Sequence, residues 1–143
     1  KLANVLDTIN MLRSMGVWVE VVTLIVPGMN DSDEELADIA GFLVSVSTDI
    51  PWHVTAFHQD YRMLEPDPTP ARTLLRAAEI GKKAGLSFVY AGNMSGRVGR
   101  WENTYCPSCN ELLVERSGFT LVRNSLQNGH CPACNATVPG VWK

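Results

Sequence analysis

Residues 17–32 read VWVEVVTLIVPGMNDS, and the fold turns on how this stretch is taken. Its first ten positions are nearly all apolar and rich in valine, with only Glu20 and Thr23 interrupting. Such a run suits a strand buried on both faces, the kind that parallel sheets contain. Pro27 and Gly28 stop it, and Ser32 with Glu35 forms an S-x-x-E capping box that opens a helix. Leu36, Ile39, Ala40 and Leu43 supply the apolar stripe of that helix. A strand followed at once by an amphipathic helix is a βα unit.

The same unit recurs on either side. Upstream, Leu2, Val5, Leu6, Ile9 and Leu12 fall on one helical face, and Gly16 closes that helix. Downstream, a second strand is expected at about 53–58, then an irregular segment over 59–68, too polar and proline-rich for regular structure. Thr69 and Pro70 read as a cap and a first helical residue, Leu74, Leu75, Ala78 and Ala84 line the next helix, and Gly85 ends it. A third strand follows at 87–91. Strands beginning near 17, 53 and 87 fit βα units of a parallel sheet with right-handed crossovers. Three units cannot close an eight-stranded barrel, which takes ~250 residues. The alternatives are a small open α/β domain or the last part of a larger barrel. The opening favours the second, because Lys1 leads straight into a helical pattern with no cap or turn ahead of it.

Ligands in parallel α/β folds bind at the carboxyl ends of the strands. Here those ends carry Gly28 and Asn30, then His58, then Gly92 and Asn93, which together would form one mouth. His58 projects where an imidazole can donate to or accept from a ligand. His53 sits at the opposite strand end and is not a candidate on this reading, and Asp60 and Tyr61 read as loop residues.

The sharpest chemical signal is at the other end of the chain. Cys106-x-x-Cys109 and Cys131-x-x-Cys134 are two knuckles separated by 21 residues, the spacing of a four-thiolate metal site. A two-residue gap lets both thiolates of a tight turn face one ion. Asn110 and Asn135 follow the second cysteines, where the chain turns through positive φ, and Asn tolerates that best after glycine. Residues 111–116 and 119–123 read as strands joined at Ser117 and Gly118, and Asn128-Gly129 turns the chain toward the second knuckle. The layout is that of a zinc ribbon. Rubredoxin-like iron uses the same geometry and stays open at this point. Disulfides fit less well without an export signal, and a redox CxxC pair would need only one knuckle. His130 is a bystander beside a complete tetrahedron, and the closed site has a structural role.

Composition narrows the function classes. Of the 143 residues 45% are hydrophobic and 19% charged, the balance of a folded protein. No apolar run approaches the ~18 residues of a membrane helix, and no signal peptide is visible, so a cytoplasmic protein without membrane association is expected. The net charge of −3 offers no general attraction to nucleic acid. Residues 97–143 hold only five basic against three acidic side chains, which argues against a nucleic-acid partner for the ribbon. Arg97 and Arg100, in a glycine-rich connector, read as part of a flexible linker.

Four motifs in order carry a family resemblance: VTLIVPGMNDS (22–32), WHVTAFHQDY (52–61), YAGN (90–93) and ENTYCPSC (102–109). Their succession resembles radical SAM enzymes related to pyruvate formate-lyase activating enzyme, and within them the radical SAM members of AmmeMemoRadiSam systems. The resemblance implies a partial (βα)6 barrel, with 1–95 as its C-terminal part, 96–104 as a linker and 105–143 as a four-cysteine zinc ribbon. It implies an activity in which a [4Fe–4S] cluster reductively cleaves S-adenosylmethionine to a 5′-deoxyadenosyl radical. That radical abstracts hydrogen from a substrate, a protein being one candidate. Gly28, Asn30, His58, Gly92 and Asn93 match cofactor-binding positions, and Cys106, Cys109, Cys131 and Cys134 match the terminal metal knuckles. The cluster motif C-x3-C-x2-C is absent from this chain, so no residue here is assigned as catalytic. The expectation is an enzyme whose cluster-binding part lies upstream in the same chain, this portion being inactive alone. Its rival is a non-catalytic α/β scaffold carrying a ribbon that binds protein or nucleic acid.

Overall fold

A computed structural model describes residues 1–142, and its main sheet is parallel with strand order β1 (Val21–Ile25), β2 (Trp52–Ala56) and β3 (Val89–Gly92). Helix α1 (Leu2–Ser14) precedes β1, α2 (Asp33–Val46) joins β1 to β2, and α3 (Ala71–Ala84) joins β2 to β3. Ser32 caps α2 by accepting the Glu35 N–H at 3.2 Å, the first half of the expected capping box. Gly16 and Gly85 close α1 and α3 at positive φ, where a side chain would be strained. The strands alternate cleanly. Trp52, Val54, Ala56, Val89, Ala91 and Ile25 face the helices and share one core with Leu36, Ala40, Leu43, Leu74, Ala77 and Ala78. The register Val22–His53–Tyr90 and Leu24–Thr55–Gly92 runs along the opposite, helix-free face.

Trp52 anchors the core. It is fully buried, and its indole N–H donates to Thr23 Oγ1 at 2.9 Å. Its ring reaches α3 only because position 81 is glycine: a Cβ there would stand 2.7 Å from the ring.

Several local expectations change. The first strand is shorter than 17–26, and it is not buried on both faces: Val22 and Leu24 are 65% and 46% exposed. The reason is that Val22 and Leu24 point to the helix-free face, on which nothing among the described residues packs over β1, while Val21 and Ile25 point to the helices. Helix α1 buries just Ile9 of its expected stripe, while Leu2 and Val5 lie in solvent. Thr69 is not a helix cap. Pro70 holds that place, and the fully buried Thr69 hydroxyl instead donates to Ile25 O and accepts the Phe57 N–H, fastening the ends of β1 and β2.

The 96–104 stretch is not a loose tether. Val98 is buried in the main core, Trp101 packs against it, and residues Gly99–Glu102 form a 3-10 turn. A second, antiparallel sheet follows, β4 (Thr104–Tyr105), β5 (Leu112–Ser117) and β6 (Thr120–Asn124), in that order. The short strand β4 has no sequence signature; pairing with β5 creates it. Phe88, leading into β3, is buried with Cys106, Leu113, Val114, Cys131 and Val138, so this sheet packs directly on the α/β part. Among the described residues no helix is long and apolar enough to cross a membrane.

Candidate metal centre and strand-end residues

Both knuckles are built from backbone. Asn110 N–H returns to Cys106 O at 2.9 Å, and Asn135 N–H to Cys131 O at 2.8 Å. Asn110 and Asn135 adopt φ of 62° and 57°, the left-handed turn expected after each pair. Cys106 N–H and Cys131 N–H then donate to Glu111 O and Ala136 O, closing each turn.

The four sulfurs converge, all lying within 4.8 Å of one another. Cys106 and Cys134 are 3.7 Å apart, and Cys109 and Cys131 3.6 Å. Four sulfurs at the Zn–S distance around one tetrahedral ion lie ~3.8 Å from each other. A disulfide needs about 2.05 Å, so these are four free thiols placed to hold a metal ion. Burial works to raise the Cys106 thiol, but the N–H groups of Cys109 and Ser108 and the facing thiols overcome it and bring it to about 7. The Glu111 N–H favours a thiolate at Cys109, yet the crowd of Cys134, Cys131 and Cys106 wins and pushes it up to about 12. One thiolate is easy to form here and four are not without a cation among them. His130 is excluded from the ligand set: its Nδ1 lies 3.0 Å from Asn128 O and its Nε2 3.4 Å from Thr137 Oγ1. Arg100 braces the first knuckle, donating to Asn110 Oδ1 at 2.8 Å and lying over the Tyr105 ring.

The five strand-end positions fall along one edge of the main sheet, past Ile25, Ala56 and at the end of β3. Most are spent internally. Asn30 Oδ1 accepts the Val26 N–H and its Nδ2 donates to Leu24 O, while Gly28 turns at positive φ with its N–H on Asp31 Oδ1. Asn93 Nδ2 donates to Ala56 O, tying β3 to β2, and Gly92 lies tight against Thr55. His58 differs. It is exposed beyond β2, with Nδ1 3.3 Å from Gln59 O and no partner at Nε2 among the described residues.

A further polar set escaped sequence reasoning. Glu20, His53, Tyr90 and Arg116 meet on the helix-free face, beside a cavity of about 700 Å3. His53 Nε2 is 2.8 Å from Glu20 Oε2, and the His53 ring stacks on Tyr90 at 5.0 Å. The signal that could have found them is the alternation of Trp52, Val54 and Ala56 with His53 and Thr55, which separates a core face from a polar one.

The chain is 37% identical over 137 residues to Uncharacterized protein MJ0808 of Methanocaldococcus jannaschii, a match that covers 94% of this chain. It spans 40% of the length of that relative. No family model matches the chain, and no solved structure matches it.

Proposed function

We propose that this chain is the C-terminal portion of a radical SAM enzyme, comprising the last βα units of a partial (βα)6 barrel followed by a zinc ribbon. The observation that carries the reading is the open outer edge of β1, a parallel strand with a neighbour on one side only. Such an edge suits continuation by further parallel strands. A relative more than twice as long supports the same view. The ordered motifs at 22–32, 52–61, 90–93 and 102–109 supply the family.

Within this reading His58 is the side chain that fits S-adenosylmethionine, because its Nε2 is open at the strand-end edge. Gly28, Asn30, Gly92 and Asn93 act differently: they shape the backbone of the mouth, with the amides of Gly28, Asn30 and Asn93 tied to Asp31, Leu24, Val26 and Ala56 and Gly92 close against Thr55. The [4Fe–4S] cluster would be held by upstream cysteines and would supply the electron for reductive cleavage. The four-cysteine group fits zinc in a folding role, since four thiolates leave no position for substrate.

The test uses the complete gene product, reconstituted anaerobically with iron and sulfide and reduced with dithionite. 5′-Deoxyadenosine should form from S-adenosylmethionine, and His58→Ala should raise the KM for S-adenosylmethionine several-fold. Absence of a three-cysteine cluster motif upstream, or of 5′-deoxyadenosine, overturns the reading.

A second reading has its own observation. Phe119 at the β5–β6 turn is fully exposed, Leu121 and Val122 are 59% and 58% exposed, and every residue of β6 is exposed. A non-catalytic scaffold whose ribbon docks a protein through this hairpin would leave such a surface. It becomes the better account if the full-length protein forms no 5′-deoxyadenosine.

A further inference from the structure

The cavity of about 700 Å3 lies between the helix-free face of the main sheet and the second sheet, and its walls are mostly apolar. Trp18, Phe88, Tyr90, Phe119 and Trp142 give it flat aromatic surfaces. Two carboxylates reach it, and both are already satisfied. Glu20 takes the Trp18 indole N–H at 3.0 Å and faces His53 at 2.8 Å. Glu102 accepts the backbone N–H groups of Gly96 and Gly118 through its two oxygens.

Arg116 is the exception: its charge reaches Glu20, but no carboxylate lies within ion-pair distance of it among the described residues. It reaches the cavity from β5, half-buried, with its guanidinium 5.8 Å from the Tyr90 ring centre. One N–H donates to Thr104 Oγ1 at 2.9 Å, and among the described residues it makes no ion pair. A guanidinium carries five donors in a planar fork matched to carboxylate or phosphate oxygens. The Tyr90–Thr104 hydrogen bond of 2.9 Å, beneath it, fixes where that fork stands.

We propose that this cavity binds a small anionic ligand with a flat apolar body, its carboxylate or phosphate held by Arg116 and its body laid between the aromatic walls. A few convergent polar groups in an otherwise apolar cleft are the usual make-up of a small-molecule site. The site adjoins the strand-end mouth at Gly92 and Asn93, which line it, while His58, Gly28 and Asn30 do not. The proposal rests on Arg116 and the aromatic walls, so anion binding is tested separately from S-adenosylmethionine cleavage at the His58 end.

The experiment is a 1H–15N NMR titration of the zinc-loaded 143-residue chain with phenylacetate, phenyl phosphate and neutral phenylacetamide. The two anions should give saturable shifts at Arg116, Gly118 and Ser95, and phenylacetamide should bind at least tenfold more weakly. The stronger anion of the two identifies the headgroup. Arg116→Gln should weaken anion binding at least tenfold, Arg116→Lys should restore part of it, and Arg123→Gln on β6 should leave it unchanged. Equal binding of the amide and the anions overturns the proposal, as does wild-type affinity in Arg116→Gln or shifts confined to other surfaces. Should Arg116→Gln not fold, the anion–amide comparison on the wild-type chain decides.

Discussion

The carboxamide of Asn30 lies against Val26 on the open side of β1, its Oδ1 accepting the Val26 N–H at 2.7 Å. The Val21 N–H donates across to Pro51 O, so odd-numbered backbone groups of β1 face β2 and even-numbered ones face outward. With Nδ2 on Leu24 O at 2.9 Å, Asn30 bonds two consecutive outward groups in the way a neighbouring strand would. Side-chain mimicry closes the carboxyl end of an edge that is otherwise free.

Asn30→Ala should therefore lower stability by about 1–3 kcal/mol, because it strips two backbone groups of partners. Asn30→Asp keeps the acceptor but not the donor and should fall between. Urea unfolding of the three proteins measures both.

Gly81→Ala sets two effects against each other. Alanine favours the helix by about 1 kcal/mol. Its methyl would meet Trp52 ring atoms at 2.7 Å and 2.9 Å, and overpacking costs about 1–3 kcal/mol. Because the ring is fully buried and its indole is tied to Thr23, packing should win. A net loss in thermal stability is expected, and a rise would show that Trp52 can shift.

Removing the metal should separate the two sheets' fates. In Cys109→Ser, or in the chelated protein, amide signals of residues 104–142 should collapse while those of α2 and α3 persist. Phe88 and Tyr90 should also shift, since Phe88 shares a core with Cys106 and Cys131, and Tyr90 packs against it. Elemental analysis should give about one zinc per chain. Metal affinity should fall with falling pH, because thiols must lose protons to bind.

Glu20 gives a pH signature. Burial acts to raise its carboxyl, but hydrogen bonds from Trp18 and His53, with Arg116 nearby, leave it below the usual value. A carboxyl with a depressed folded pKa adds stability above its unfolded pKa and loses it as pH falls through the folded one. The destabilisation of Glu20→Gln should thus be full at pH 6, above the unfolded carboxyl value of about 4.3, and shrink as pH falls through the lower folded value. Both side chains of the pair are partly exposed, which keeps the effect below about 1 kcal/mol. Denaturant midpoints across pH 3–7 check it.

The βα succession, the caps at Ser32, Gly16 and Gly85, and the four-cysteine group with its left-handed Asn110 and Asn135 were legible because each depends on residues close in the chain. Thr69 misled for the opposite reason. Its sequence neighbours argue for a helix cap, yet its hydroxyl bonds Ile25 O, 44 positions away. The connector misled likewise: glycines and arginines suggested looseness, while Val98 and Trp101 pack on the main core.

Local pattern alone thus dictated the mixed α/β class, the order of helices and strands and the four-cysteine group, since periodicity and short spacings act within a few residues. Which side of β1 stays open, and how Arg116 comes to stand over Tyr90, were settled only on folding. Those contacts join groups as far apart as Glu20 and His53, 33 positions distant, and only strand order and sheet stacking bring them together.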